Sequence, residues 1–180
     1  MSVRYGYQMI MKEIEIKLKT DSFDDIRERL AEAGFSMQSK DTETASFFDD
    51  DDDGFSARNI TVRIKKGEGW ASFAVKTKKK DDNYKIADEH ESDISDAEAM
   101  TGALSVLGLG KRFEYSKERE HWVNGGSAVE LDRVSEIDAY FIEVEAGSGE
   151  VVEEIIRSLG LQDLKRERRS YPDIVKEIRK

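Results

Sequence analysis

The chain has 180 residues, 38% of them hydrophobic, which suits one domain with its own core and leaves little room for a second. Its formal net charge of −10 argues against a nucleic-acid backbone or an anionic membrane as the main partner. With no cysteine present, disulfides and Cys-based metal or nucleophilic sites are excluded, so any metal must be held by oxygen or by the two histidines.

Met1 to Gln8 reads as a short extension, and no apolar signal or run of about 20 apolar residues is visible, so a cytoplasmic location is expected. In Glu13-Ile14-Glu15-Ile16-Lys17 the charges alternate with aliphatics, as on a strand with one apolar and one charged face. Ser22-Phe23-Asp24-Asp25 resembles a capping box, followed by Phe23, Ile26, Leu30 and Ala33 at helical spacing and closed by Gly34. Asp49, Asp51, Asp53 and Gly54 imitate the start of a calcium loop, but Ile60 stands at its twelfth position, so a solvated turn is expected. Thr61-Val62-Arg63-Ile64-Lys65 and Phe73-Ala74-Val75-Lys76 alternate again, around a hairpin turn flanked by Gly67 and Gly69. Ser95-Asp96-Ala97-Glu98 repeats the capping device before Met100, Leu104 and Leu107, up to Gly108. Val129 and Leu131 alternate with Glu130 and Asp132, and Ile142 and Val144 with Glu143 and Glu145. A third helix is expected from about Glu150 to Leu159 on Val151, Ile155 and Leu159, and a last one from Pro172. Such a chain is mostly antiparallel sheet. A weak repeat joins its parts, since three acid-x-acid strands precede helices: Glu13-x-Glu15, Glu89-x-Glu91 and Glu143-x-Glu145.

Facing outward, these charges would be ordinary solvated surface. Collected inside a closed barrel, they would form a lumen of both signs, in which Lys and Arg grip a polyanion and carboxylates hold a hard divalent cation. Crowding so many like charges without a ligand would be costly. His121 shares the face of Lys117 and Arg119, whereas His90 lies opposite Glu89 and Glu91; Trp70 and Trp122 read more simply as core or rim aromatics than as base-stacking platforms.

In order, the motifs resemble the CYTH, or triphosphate tunnel metalloenzyme, superfamily: Glu13-x-Glu15-x-Lys17, Phe47-Phe48-Asp49, the Arg63 and Lys76 strands, Glu89-x-Glu91, Lys117-x-Arg119 with Trp122, Glu130-Leu131-Asp132, Glu143-x-Glu145 and Arg169-Ser170-Tyr171. The resemblance covers residues 12–176, most like the class IV adenylyl cyclase and thiamine triphosphatase branches. It implies a single α+β domain over 1–180 with its core in 10–176, built as a closed antiparallel β-barrel of about eight strands with helices packed outside. It also implies triphosphate-binding roles for Lys17, Arg63, Lys65, Lys76, Lys117 and Arg119, with Lys17, Lys76 and Arg119 at the reacting groups. Mg²⁺ or Mn²⁺ would be held by Glu13, Glu15 and Glu143, with Asp132, Glu91 and Glu145 as further acids. Lys65 departs from the arginine often found there and gives up bidentate geometry. The implied substrate is a nucleoside triphosphate, or an inorganic or organic triphosphate, handled by a monomer or homodimer. Conversion of ATP to cyclic AMP and pyrophosphate leads, with triphosphate hydrolysis and a non-enzymatic polyphosphate- or nucleotide-binding module as alternatives.

Overall fold

The computed structural model describes residues 11–178, and side chains from Ile14 onward; the extension read over Met1–Gln8 lies outside these residues. Nine strands form in chain order: β1 (Met11–Thr20), β2 (Ser36–Asp49), β3 (Ile60–Gly67), β4 (Trp70–Lys79), β5 (Lys85–Asp93), β6 (Gly110–Asn124), β7 (Ser127–Val134), β8 (Ala139–Ala146) and β9 (Lys165–Arg166). The helices are α1 (Ile26–Glu32), α2 (Gly54–Ala57), α3 (Ala97–Val106), α4 (Gly149–Ser158) and α5 (Tyr171–Ile178).

Strands pair in the order β5-β4-β3-β2-β6-β7-β8-β1-β9, and β5 also pairs with β1, so β1 to β8 close into an antiparallel ring of eight. Period-two alternation gives each strand an inner and an outer face, and closure puts all inner faces around one lumen. Glu68-Gly69 is the two-residue turn between β3 and β4, and Gly69 takes φ +79°, which a glycine reaches without strain.

Apolar residues of the outer faces meet the helices. Ile14, Ile16, Leu18, Val129, Leu131, Ile142 and Val144 pack with Leu30 of α1 and with Val152, Ile155, Ile156 and Leu159 of α4. Around the ring, Phe48, Val62 and Ile64 pack with Leu104 of α3 and Leu109. α5 lies across one end: its Tyr171, Ile174 and Val175 pack on Ala45, Phe113, Tyr115, Val134 and Phe141.

The local signals shifted in several places. α1 is capped at Asp25 with no side-chain hydrogen bond, so the Ser22 box does not cap it. Asp96, not Ser95, caps α3, its carboxylate accepting from the Glu98 and Ala99 amides. Leu107 is 76% exposed and lies outside the apolar stripe. In α4 the buried position is Val152, while Val151 is exposed, because Val152, Ile155, Ile156 and Leu159 form the i, i+3, i+4, i+7 stripe that faces the ring. Asp49 is buried, not solvated: its carboxylate accepts from the amides of Asp50, Phe55 and Ser56 and from the Ser56 hydroxyl, fixing the start of α2. Each acid-x-acid strand does run into a helix, β1 into α1, β5 into α3 and β8 into α4.

Removing a side chain from the α4 seam should weaken the whole ring. Ile156→Ala is expected to cost about 2–5 kcal/mol of unfolding free energy, read from urea denaturation followed by circular dichroism.

Candidate active site

All six cations expected from the sequence come to the inner face of the ring. β1 supplies Lys17, β3 supplies Arg63 and Lys65, β4 supplies Lys76, and β6 supplies Lys117 and Arg119. The acids Glu15 (β1), Glu91 (β5), Asp132 (β7), Glu143 and Glu145 (β8) take the same face by strand alternation. Glu13 pairs with Ala87 by its backbone, and its side chain lies outside the described residues.

Charge of one sign is neutralised by the other throughout the lumen. Lys17 Nζ lies 3.2 Å from Glu143 Oε1 and donates to the Arg169 carbonyl at 3.1 Å. Arg119 donates through Nε and Nη2 to both oxygens of Asp132, each at 2.6 Å, and through Nη2 to Glu143 Oε2 at 2.6 Å. Lys117 Nζ sits between Asp132 at 2.9 Å and Glu43 at 3.2 Å. On the opposite wall, Glu89 pairs with Arg63 and Lys76 at 3.1 and 2.7 Å, and Glu91 with Lys65 at 2.8 Å. Lys85 closes the circuit by donating to Glu15 at 3.0 Å. The crowding of like charges expected from the sequence is thus relieved by alternation, because the ladder registers place an acid beside nearly every base.

The titration behaviour follows from burial and pairing together. Burial alone would raise the Glu43 carboxyl, yet Lys117 and Arg119 overcome it and hold it down at about 2. Glu91 is likewise lowered to about 2, burial being outweighed by Lys65. For Lys17 the balance goes the other way: burial lowers the ammonium to about 8 against the pull of Glu143. Burial would also lower Lys117, but Asp132 and Glu43 raise it above its ordinary value.

One end of this lumen is closed. Tyr171 enters from α5, donates its hydroxyl to Asp132 Oδ2 at 2.7 Å, and lies with its ring centre 3.7 Å from Lys17 Nζ and 4.9 Å from Lys117 Nζ. Tyr115, Phe141 and Tyr171 make ring contacts there, with Phe47 stacked on Tyr115 at 5.9 Å. The other end opens at Arg119, Glu43, Asp41 and Trp70, around a cavity of about 340 Å³.

Two buried atoms of the lumen remain without a hydrogen bond, Arg63 Nε and Glu130 Oε2. The first is a cationic donor of the kind that suits an anion, while Glu130 Oε2 still lies 3.6 Å from Arg119 Nε. Glu130 is the cross-strand partner of Glu143, and carboxylate oxygens are the donors a hard divalent cation takes, but among the described residues no three acids converge on one point. His121 donates through Nδ1 to Glu130 Oε1 at 2.8 Å, while His90 lies exposed on the outer side. Trp122 is buried in the α1–α4 core, as its packing reading requires.

Sequence reasoning missed Lys85, Glu43 and Tyr115 in the lumen. Lys85 shares the strand parity of Glu89 and Glu91 and was legible on that ground. Glu43 stands in Lys40-Asp41-Thr42-Glu43-Thr44, a polar run whose alternation is hidden until β6 pairs with it.

The class of protein is defined by a closed antiparallel ring with a paired-charge lumen and one open mouth. The chain belongs to the CYTH domain family, whose model matches residues 11–171. It is 26% identical over 173 residues, 91% of this chain and 98% of the other, to a Methanocaldococcus jannaschii protein named "Putative adenylate cyclase". Among solved structures it resembles the PH1819 protein of Pyrococcus horikoshii, with TM-score 0.75 and 26% identity over 92% of this chain and 99% of that one. A Hippeastrum protein, described as a putative adenylyl cyclase with a dominant triphosphatase activity, has TM-score 0.64 and 19% identity over 92% and 95% of the two chains. No helix among the described residues is long and apolar enough to cross a membrane.

Two stability measurements check the pairing. Folded-state carboxyls at about 2 against an ordinary value of about 4.3 contribute stability above that ordinary value and lose it as pH falls toward 2, so urea midpoints should drop steadily below about pH 4.5. Asp132→Ala strands Lys117 and Arg119 and is expected to destabilise the metal-free protein by about 3–5 kcal/mol; a rise in stability would mean that repulsion among the acids dominates instead.

Proposed function

We propose that this protein is a metal-dependent enzyme acting on a triphosphate, and that its reaction is cyclisation of a nucleoside triphosphate with release of pyrophosphate. The observation that carries the reading is the convergence of Lys17, Arg63, Lys65, Lys76, Lys117 and Arg119, from four strands, on a lumen closed at one end. A polyphosphate fits such a lumen with its terminal phosphate inward. Each cation would exchange its carboxylate partner for a phosphate oxygen, the charge-assisted contact for which these groups are suited. The divalent cation would be held by the acids expected from the sequence, Glu13, Glu15 and Glu143, and would supply charge neutralisation to the phosphates and to the acids so displaced.

The closed end favours chemistry at the α-phosphorus. There the floor is built of the rings of Tyr115, Phe141 and Tyr171, apolar surface that would orient an attacking water poorly. Near the mouth, a ribose 3′-oxygen can bond to the α-phosphorus as the bond to the bridging β-oxygen breaks. The hydroxyl proton leaves through the open mouth, and the pyrophosphate that departs is already held by the lumen's cations. Catalysis is then positioning and charge stabilisation. The relative named for an adenylate cyclase matches nearly its whole length, in keeping with this choice.

Hydrolysis is the second reading, because the same cations and acids would bind a triphosphate whichever phosphorus is attacked and none of them identifies the nucleophile. The likeness to the Hippeastrum protein is one of fold alone, so identification of products decides.

Incubation of the full chain with ATP, and separately with tripolyphosphate, under Mg²⁺ and under Mn²⁺ should yield cyclic AMP and pyrophosphate from ATP by mass spectrometry, with activity abolished by excess chelator. ADP and phosphate without cyclic AMP would replace cyclisation by hydrolysis, and full activity in chelator would remove the metal. Lys17→Ala is expected to lower kcat/KM at least tenfold, about 1.4 kcal/mol, with circular dichroism unchanged.

A further inference from the structure

Cyclisation frees one proton from the ribose hydroxyl, and a group near the α-phosphorus must take it. Most inner-face groups are unsuited to that task. Glu43 and Glu91 are held at about 2 by the cations beside them, which makes them weak bases. Lys117 and Arg119 are raised above their ordinary values and stay charged. Asp132 already accepts from Arg119, Lys117 and the Tyr171 hydroxyl. Lys17 stands against the floor, its Nζ 3.7 Å from the Tyr171 ring centre, at the far end from the mouth.

β6 carries one further inner-face group. From floor to mouth, alternate residues of this strand are Tyr115, which packs on Tyr171, then Lys117, then Arg119, which lines the mouth cavity, and then His121. His121 therefore stands one inner position beyond Arg119, about 7 Å along the strand. It is set in register between Ser39 of β2 and Glu130 of β7. Glu130 is 7% exposed, accepts from His121 Nδ1 at 2.8 Å, and lies 3.6 Å from Arg119 Nε through its other oxygen. An ionised carboxylate can only accept, so the ring hydrogen is on Nδ1 and the neutral imidazole keeps its lone pair on Nε2. The ring is 37% exposed, and no hydrogen bond among the described residues uses Nε2. The bond to Glu130 also holds the imidazole above its ordinary value, against burial and the charges of Arg119 and Lys65, which makes it a stronger base than an isolated histidine.

We propose that His121, oriented by Glu130, is the catalytic base of the cyclisation, its Nε2 taking the proton of the ribose 3′-hydroxyl. The assignment rests on the cyclisation reading and supplies the group that reading leaves unnamed. The O–H bond breaks with its proton passing to Nε2, and the oxygen's electron pair forms the bond to the α-phosphorus. The bond from that phosphorus to the bridging oxygen breaks with its pair on pyrophosphate. The imidazolium then returns the proton to solvent.

Cyclic AMP formation from ATP by the full chain in Mg²⁺, with ATP affinity measured by calorimetry on ice, tests it. His121→Asn keeps a short N–H donor for Glu130 but has no basic nitrogen. It is expected to lower kcat about a hundredfold, at the low end of what a positioned base contributes, with ATP affinity within about twofold and circular dichroism unchanged. His121→Ala should lose as much and regain about tenfold in kcat when imidazole is added to the solution. Unchanged kcat in His121→Asn, or a loss in His121→Ala that imidazole does not restore, would reduce the ring to a brace for Glu130 and overturn the assignment. So would a loss confined to ATP affinity. Wild-type protein that forms ADP and phosphate without cyclic AMP overturns the cyclisation reading and the base with it; cyclic AMP from the wild type, with full turnover by both variants, overturns the base alone.

Discussion

Pairing of opposite charges across the inner strand faces is the constraint on which this molecule depends. Taking a lysine or a carboxylate out of water costs several kcal/mol, and Lys17, Lys117 and Asp132 are 2%, 3% and 0% exposed. None of these could be held inside the ring alone. Asp132 is the clearest case: it accepts from Arg119, Lys117 and the Tyr171 hydroxyl, so β6 and α5 are both tied to one carboxylate of β7. Apolar replacement of a buried ion pair is often no less stable, so the pairing here makes the charged lumen tolerable by ladder register and does not by itself add stability.

That register also explains what was readable from the chain. Strand alternation is strict, so once Ile14, Ile16 and Leu18 are assigned to a core, Glu15 and Lys17 must share the other face; the same step placed Arg63, Lys65, Lys117 and Arg119 correctly. Ring closure was not visible in any one strand, since it depends on the pairing of β5 with β1, two segments about seventy residues apart. Partner identities were hidden for the same reason. Alternation says which face a residue takes but not which neighbour stands opposite, and the expected repulsion among acids gave way to pairing only when the strands were set side by side.

Local signals were less informative where several capping residues stand together. Ser95-Asp96 offers two candidate caps, and the one with extended backbone and two amides in reach is Asp96. At Asp49 to Asp53 the run of like residues reads as solvent-facing, yet the first of them turns inward to satisfy the amides that begin α2, an orphan-donor problem that four-residue helix would otherwise leave unsolved.

α5 sets the polarity of the lumen, and with it the direction in which any ligand must enter. With Ile174 and Val175 on the apolar end and Tyr171 reaching in as far as Lys17, the phosphate-grade cations grade into an aromatic floor at one side and into Trp70 and the acceptor rim at the other. Among the described residues the open side is then the mouth at Arg119, Glu43 and Trp70, so on the triphosphate reading proposed above the same helix that buries an apolar end would also set which end of the ligand enters first.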